Sequence, residues 1–183
     1  MTEIFLERKF DPPIGKDDIM QMAADGAGCF SIHRVRWNGS FLAADGGRMV
    51  CSFSAPDLES ARVALRQVGT DTRALWRGEI ADAPGIREDD VDGANVLVER
   101  SFDEPVTLRQ VQDMEDAGIG CLQMRNVRFI RTFFAADQRR MLCLYAAPDA
   151  ESVREAQREA GVPFDDAWSF RRYTIRDVCN ASE

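Results

Sequence analysis

The sequence contains a single histidine, His33, in 183 residues. It offers no His-x-x-x-His helix, no Ser-His-Asp order and no glycine-rich phosphate loop, so the common metalloprotease, triad-hydrolase and nucleotide-binding signatures are absent. Five cysteines are present, Cys29, Cys51, Cys121, Cys143 and Cys179, and none of them has the Cys-x-x-Cys spacing of a zinc or redox site. An odd count without an apolar leader suggests reduced thiols, and Cys51 and Cys143 read as buried small hydrophobes. No apolar run approaches the ~20 residues needed to span a bilayer. The first ten residues carry Glu3, Glu7, Arg8 and Lys9 instead of an apolar signal core, and the chain reads as cytoplasmic. Positive charge is also scarce, with 23 basic against 31 acidic residues and a net charge of -8. Nucleic acid and anionic membranes need a basic face, so neither is expected as a partner.

What the chain does have is an internal copy of itself. Glu7-Arg8 recurs as Glu99-Arg100, Gly28-Cys29 as Gly120-Cys121, and Val35-Arg36 as Val127-Arg128. Ala43-Ala44-Asp45, Arg48-Met49, Cys51 and Ala55-Pro56-Asp57 recur as Ala135-Ala136-Asp137, Arg140-Met141, Cys143 and Ala147-Pro148-Asp149. Trp76 recurs as Trp168, and every offset is 92 residues, without a gap. A period that long suits a small complete domain rather than a solenoid unit. The expected boundaries are 1–81 for the first repeat, 82–94 for a linker holding Pro84, Gly85 and Gly93, 95–177 for the second repeat, and 178–183 for a tail.

Within one copy the patterns alternate between strand and helix. Residues 3–9 read as a strand, and a helix follows over 16–25, closed by Gly26 and Gly28 as by Gly118 and Gly120 in the second copy. Residues 32–42 read as a long strand in which Val35, Trp37 and Phe41 alternate against Arg34, Arg36 and Asn38. A turn at Asp45-Gly46-Gly47 leads to a returning strand over 48–54. Asp57 then caps a helix whose stripe is Leu58, Ala61, Leu65 and Val68 and whose stop is Gly69. A last strand spans 74–80. The order β-α-β-β-α-β is the ferredoxin-like plan, which leaves one sheet face bare. The expected fold is α+β: two ferredoxin-like βαββαβ repeats whose sheets face each other in an intrachain pseudo-dimeric α+β barrel.

The strings Phe5-Leu6-Glu7-Arg8-Lys9-Phe10, Val35-Arg36-Trp37-Asn38-Gly39-Ser40-Phe41 and Cys51-Ser52-Phe53-Ser54-Ala55-Pro56-Asp57 resemble those of the small nickel-binding proteins of ferredoxin-like fold, long catalogued as a domain of unknown function. The resemblance covers both copies. It implies single-copy relatives that pair as dimers, and a metal site rich in histidine near the first and second strands. Here those places hold Glu7-Arg8, Glu99-Arg100, Gly39 and Arg131, so nickel is expected to bind no better than weakly.

The residues themselves suggest a ligand site between the repeats. Strand alternation puts Phe5 and Glu7 on one face and Leu6 and Arg8 on the other. Glu7 and Glu99 are expected to converge near a pseudo-axis, with Arg36 and Arg128 as inward partners able to grip a carboxylate or phosphate. Arg8, Arg100, His33 and Trp37 complete the candidate ligand contacts. Cys29 and Cys121 are expected just after a helix end, where packing explains them better than reactivity. The expected function is binding of a small molecule or metal ion between the repeats. An α+β-barrel enzyme of the isomerase or cofactor-free oxygenase kind is the first alternative, and a regulatory partner-binding protein the second. No cofactor is specified, and oligomerisation is possible without being required.

Overall fold

The computed structural model describes residues 1–180, with the side chains of 178–180, Cys179 among them, outside the description. The chain divides into two compact units, Met1–Gly78 together with the stretch from Arg171, and Glu79–Phe170.

The first unit runs β1 (Thr2–Lys9), α1 (Lys16–Ile32), β2 (Arg36–Ala43), β3 (Arg48–Ala55), α2 (Leu58–Gln67) and β4, which begins at Leu75 and extends to Asp82. β3 lies between β1 and β2, and β4 pairs with the other edge of β1, all antiparallel. Ile4, Leu6, Met49, Cys51 and Phe53 on the sheet pack with Ile19, Ala61, Ala64 and Leu65 from the two helices. Asp57 caps α2 as its sequence suggests, its carboxylate accepting from the Ser60 backbone N–H at 2.7 Å. The amphipathic stripe of that helix therefore starts in register with the sheet.

After a short helix α3 (Glu88–Asp92), the second unit repeats the plan with β5 (Val96–Ser101), α4 (Leu108–Met124), β6 (Arg128–Ala135), β7 (Arg140–Ala146), α5 (Ala150–Glu159) and β8 (Asp166–Tyr173). β7 lies between β5 and β6, and β8 pairs with the other edge of β5. A terminal helix α6 (Ile175–Asn180) ends the described chain.

Four sequence expectations are corrected. Gly26, Gly28, Gly118 and Gly120 do not stop their helices, which run on to Ile32 and Met124. Gly26 and Gly118 serve close packing instead: an added Cβ would stand 3.0 Å from the Phe30 ring and 2.9 Å from the Ala160 Cβ respectively. Cys29 and Cys121 consequently lie within the helices, and His33 is a helix C-cap rather than a strand residue. Finally, strict alternation fails along β2 and β6. A bulge between Trp37 and Gly39, and its copy between Phe129 and Arg131, shifts the register. The extra residue turns Ser40 to the helix side with Trp37 and sends Phe41 to the opposite face.

Candidate ligand site in the first repeat

Glu7 and Glu99 occupy matched positions and make the same bond. The Trp76 indole N–H donates to Glu7 Oε1 at 2.7 Å, and the Trp168 indole N–H donates to Glu99 Oε1 at 2.7 Å. Phe5 lies beside Trp76 with ring centroids 4.5 Å apart. Each carboxylate thus orients an indole on the sheet face turned away from its own helices.

Arg36 and Arg128 are not the partners of these carboxylates, and both are exposed. Arg36 donates to Asn38 Oδ1 at 3.1 Å and Ser54 Oγ at 3.3 Å, while Arg128 pairs with Asp90 at 3.0 Å. The reason is register. Arg36 stands across from Ser54 and, one strand further, Glu3, whereas Glu7 stands across from Val50. The four residues from Glu3 to Glu7 separate the two rows by about 13 Å at ~3.3 Å per residue. His33 is half-buried, its Nε2 3.0 Å from Gln67 Oε1, and it stands apart from the carboxylates.

The chemistry gathers instead on the helix side of the sheets, around Arg8 and Arg100. In the second repeat Arg100 is only 2% exposed. It donates to Pro163 O at 2.7 Å, Glu115 Oε1 at 2.7 Å, Gln157 Oε1 at 3.1 Å and the Tyr145 hydroxyl at 3.2 Å. Tyr145 in turn donates to Glu115 Oε1 at 2.7 Å, and Gln157 Nε2 donates to the Tyr145 oxygen at 3.1 Å. Burial, reinforced by the Glu115 charge, holds the Tyr145 phenol well above its ordinary range, so it remains a neutral donor. The cation is neutralised and nearly fully bonded inside the core, as a buried charge must be.

The 92-residue offset places Ala23, Phe53 and Leu65 where Glu115, Tyr145 and Gln157 stand. Arg8 therefore lacks all three polar partners. Its guanidinium donates to the Met22 thioether at 2.9 Å, a weak acceptor, and lies 4.8 Å from the Phe10 ring centroid. No carboxylate pairs with it among the described residues. Beside Arg8 lies a partly open cavity of about 80 Å³. Arg8, Met22, Trp37, Met49, Phe53 and Leu65 line it, together with Ser40, Cys51 and Asp25.

A short polar chain runs along one wall, from Trp37 Nε1 to Ser40 Oγ at 3.0 Å and from Ser40 Oγ to Cys51 Sγ at 3.1 Å. Burial pushes the Cys51 thiol up to about 11, outweighing the Ser40 hydrogen bond. Cys51 is thus a neutral thiol at physiological pH, unsuited to nucleophilic attack or metal ligation, both of which need the thiolate.

Of the residues proposed from sequence, the structure brings Arg8 and Trp37 together at the cavity. Glu7, Glu99, Arg36, Arg128 and His33 lie elsewhere, and Arg100 is consumed by its own network. The missed residues are Ala23, Phe53 and Leu65. Their signal was available as mismatches between the copies, three apolar residues replacing three polar ones at core positions.

Residues 97–169, within the second repeat, match the family described as "Nickel responsive protein SCO4226-like". No curated protein matches the chain. Among solved structures, the chlorite dismutase from Candidatus Nitrospira defluvii in complex with imidazole is similar at a TM-score of 0.52 and 11% identity, covering 98% of this chain and 94% of that one. A protein provisionally described as a chlorite dismutase, TA0507, is similar at a TM-score of 0.51 and 8% identity, covering 98% of this chain and 97% of that one. At such identities the likeness shows the fold: α+β, with two ferredoxin-like repeats in one chain.

Among the described residues, the nickel in the family's description meets no fitting set of ligands. Among the described residues, no three His, Cys, Asp or Glu side chains gather closely enough to hold a metal ion. In the matched segment a buried cation, Arg100, follows Glu99 on the first strand, and burial holds the Cys143 thiol protonated. The described residues also include no helix long and apolar enough to cross a membrane.

Proposed function

We propose that this protein binds a small molecule in the cavity of its first repeat, with Arg8 as the polar anchor, and that the second repeat is the filled, structural counterpart. The observation that supports this reading is the contrast between two arginines at one strand position. Arg100 has a carboxylate, a phenol, an amide and a backbone carbonyl around it, while Arg8 has a thioether and a cavity of about 80 Å³. Apolar walls with a few convergent polar groups are the usual composition of a small-ligand site. The neutral Cys51 thiol favours binding over covalent chemistry at this place.

Trp37 lines the cavity and serves as a reporter. A panel of small apolar and amphipathic molecules should alter tryptophan emission, and Trp37→Phe should remove that response. The triple variant Ala23→Glu, Phe53→Tyr and Leu65→Gln gives the first repeat the side chains of the second, and it should fold and fail to respond. A response of equal size in the triple variant would overturn the assignment of the site.

A further inference from the structure

We infer that the ligand is a small aliphatic monocarboxylate whose carboxylate pairs with Arg8, an assignment that rests on the binding reading above. The second repeat contains the pattern for it. At the position of Ala23 the second repeat has Glu115, whose side chain is a short aliphatic stem ending in a carboxylate. That carboxylate meets Arg100 Nη2 at 2.7 Å and the Tyr145 hydroxyl at 2.7 Å. In the first repeat the stem is cut back to a methyl group, the arginine is kept, and no acceptor other than the Met22 sulfur answers its donors among the described residues. A diffusible acid can supply the missing carboxylate, which an arginine fork recognises with two parallel hydrogen bonds.

Size and charge narrow the class. About 80 Å³ is roughly half of the 150 Å³ apolar cavity that holds a benzene ring, so it takes a narrow aliphatic chain lengthwise, with the rest of the chain in the open side of the cavity. Met22, Met49, Phe53 and Leu65 suit a chain with no polar atoms beyond its head group. Arg8 is the one basic residue of the lining, and exposed Asp25 adds a negative charge. That balance favours a monoanion and disfavours a phosphate dianion, which needs several donors.

Calorimetric titration of the full chain with hexanoate, hexanamide and inorganic phosphate tests this. Hexanoate is expected to bind, and hexanamide about tenfold more weakly or not at all, since one lost charge-assisted pair is worth about that factor. Phosphate is expected not to compete. Arg8→Gln should reduce hexanoate affinity to that of hexanamide, and Ala23→Glu should abolish hexanoate binding by supplying the carboxylate within the chain. Circular dichroism verifies that each variant is folded. Equal affinity for hexanoate and hexanamide, with Trp37 responding to both, would overturn the carboxylate assignment and leave the cavity as a binding site. Stronger binding of phosphate would overturn it too. Absence of any heat or Trp37 response across the series, in the unmutated protein, would overturn both readings.

Discussion

Two arginines at one strand position, 92 residues apart, meet opposite fates. Arg100 is enclosed by Glu115, Tyr145, Gln157 and the Pro163 carbonyl, and its repeat has a polar centre that is partnered from within, except at Arg100 Nε. Arg8 has the same strand, the same helices above it and the same orientation, but apolar residues where those three side chains would be. A fold of this size tolerates either arrangement, at different cost. Enclosing a charge requires a complete set of partners, because desolvation of an ion pair can consume its Coulombic gain. Leaving the partners out avoids that requirement but forgoes packing. At ~24 cal/mol per Å³, an unfilled cavity of this size forgoes on the order of 2 kcal/mol. The difference shows how one βαββαβ plan surrounds an arginine with polar side chains in one copy and with apolar ones in the other, through three side chains and no change in topology.

The comparison breaks most severely if Glu115 is removed. Glu115→Ala strands Arg100 and Tyr145 inside the core, and such a loss costs about 3–5 kcal/mol. Urea unfolding should show a large fall in the stability of the second repeat. Ala23→Glu, the reverse exchange, should leave the first repeat at least as stable as before, because Arg8 is waiting for the charge. A destabilisation of the same size in both variants would mean that the two arginines are not in contrasting states.

Much of this architecture was legible beforehand. The ungapped repeat, the strand and helix order and the Asp57 cap follow from local patterns that tertiary structure respects. The site was less legible for two reasons. Alternation along β2 is broken by a bulge that the pattern does not announce, and Phe41 lies on the face opposite to the one alternation predicts. Arg36 and Arg128 keep the same charge in both copies, yet strand register carries them about 13 Å along the sheet from the carboxylates. Identical residues between copies report the shared scaffold, whereas the differences at Ala23, Phe53 and Leu65 report what distinguishes the copies.

A milder contrast is expected between Cys51 and Cys143. Both thiols are buried and both are held protonated by desolvation, so both react slowly in the folded protein. Cys51, however, lines the partly open cavity, whereas Cys143 is 0% exposed. A small alkylating reagent should therefore modify Cys51 on the order of tenfold faster, since Cys143 waits on local unfolding. Peptide mass mapping after timed labelling measures the ratio. Hexanoate should slow the reaction of Cys51 alone. Equal rates would imply that the reagent cannot enter the cavity.

The smallest effect is expected where the copies agree. Asp57 and Asp149 cap α2 and α5 in the same way, each accepting a backbone N–H at 2.7 Å, from Ser60 and Ser152. Those hydrogen bonds hold both carboxyls below the ordinary aspartate range. A depressed native pKa means that the unfolded chain takes up its protons first as pH falls. The stabilisation is then fully present above the unfolded value, ~3.9, and disappears as pH drops through the lower native values. Asn caps a helix about as well as Asp without titrating in that range. Asp57→Asn and Asp149→Asn should each flatten the acid limb of the stability profile slightly, by equal amounts, with little change near neutral pH. Thermal melts between pH 2 and 7 make the measurement. Unequal flattening would show that the difference between the repeats extends beyond their cores to the helix termini, and that the contrast between Arg8 and Arg100 is one part of a wider divergence.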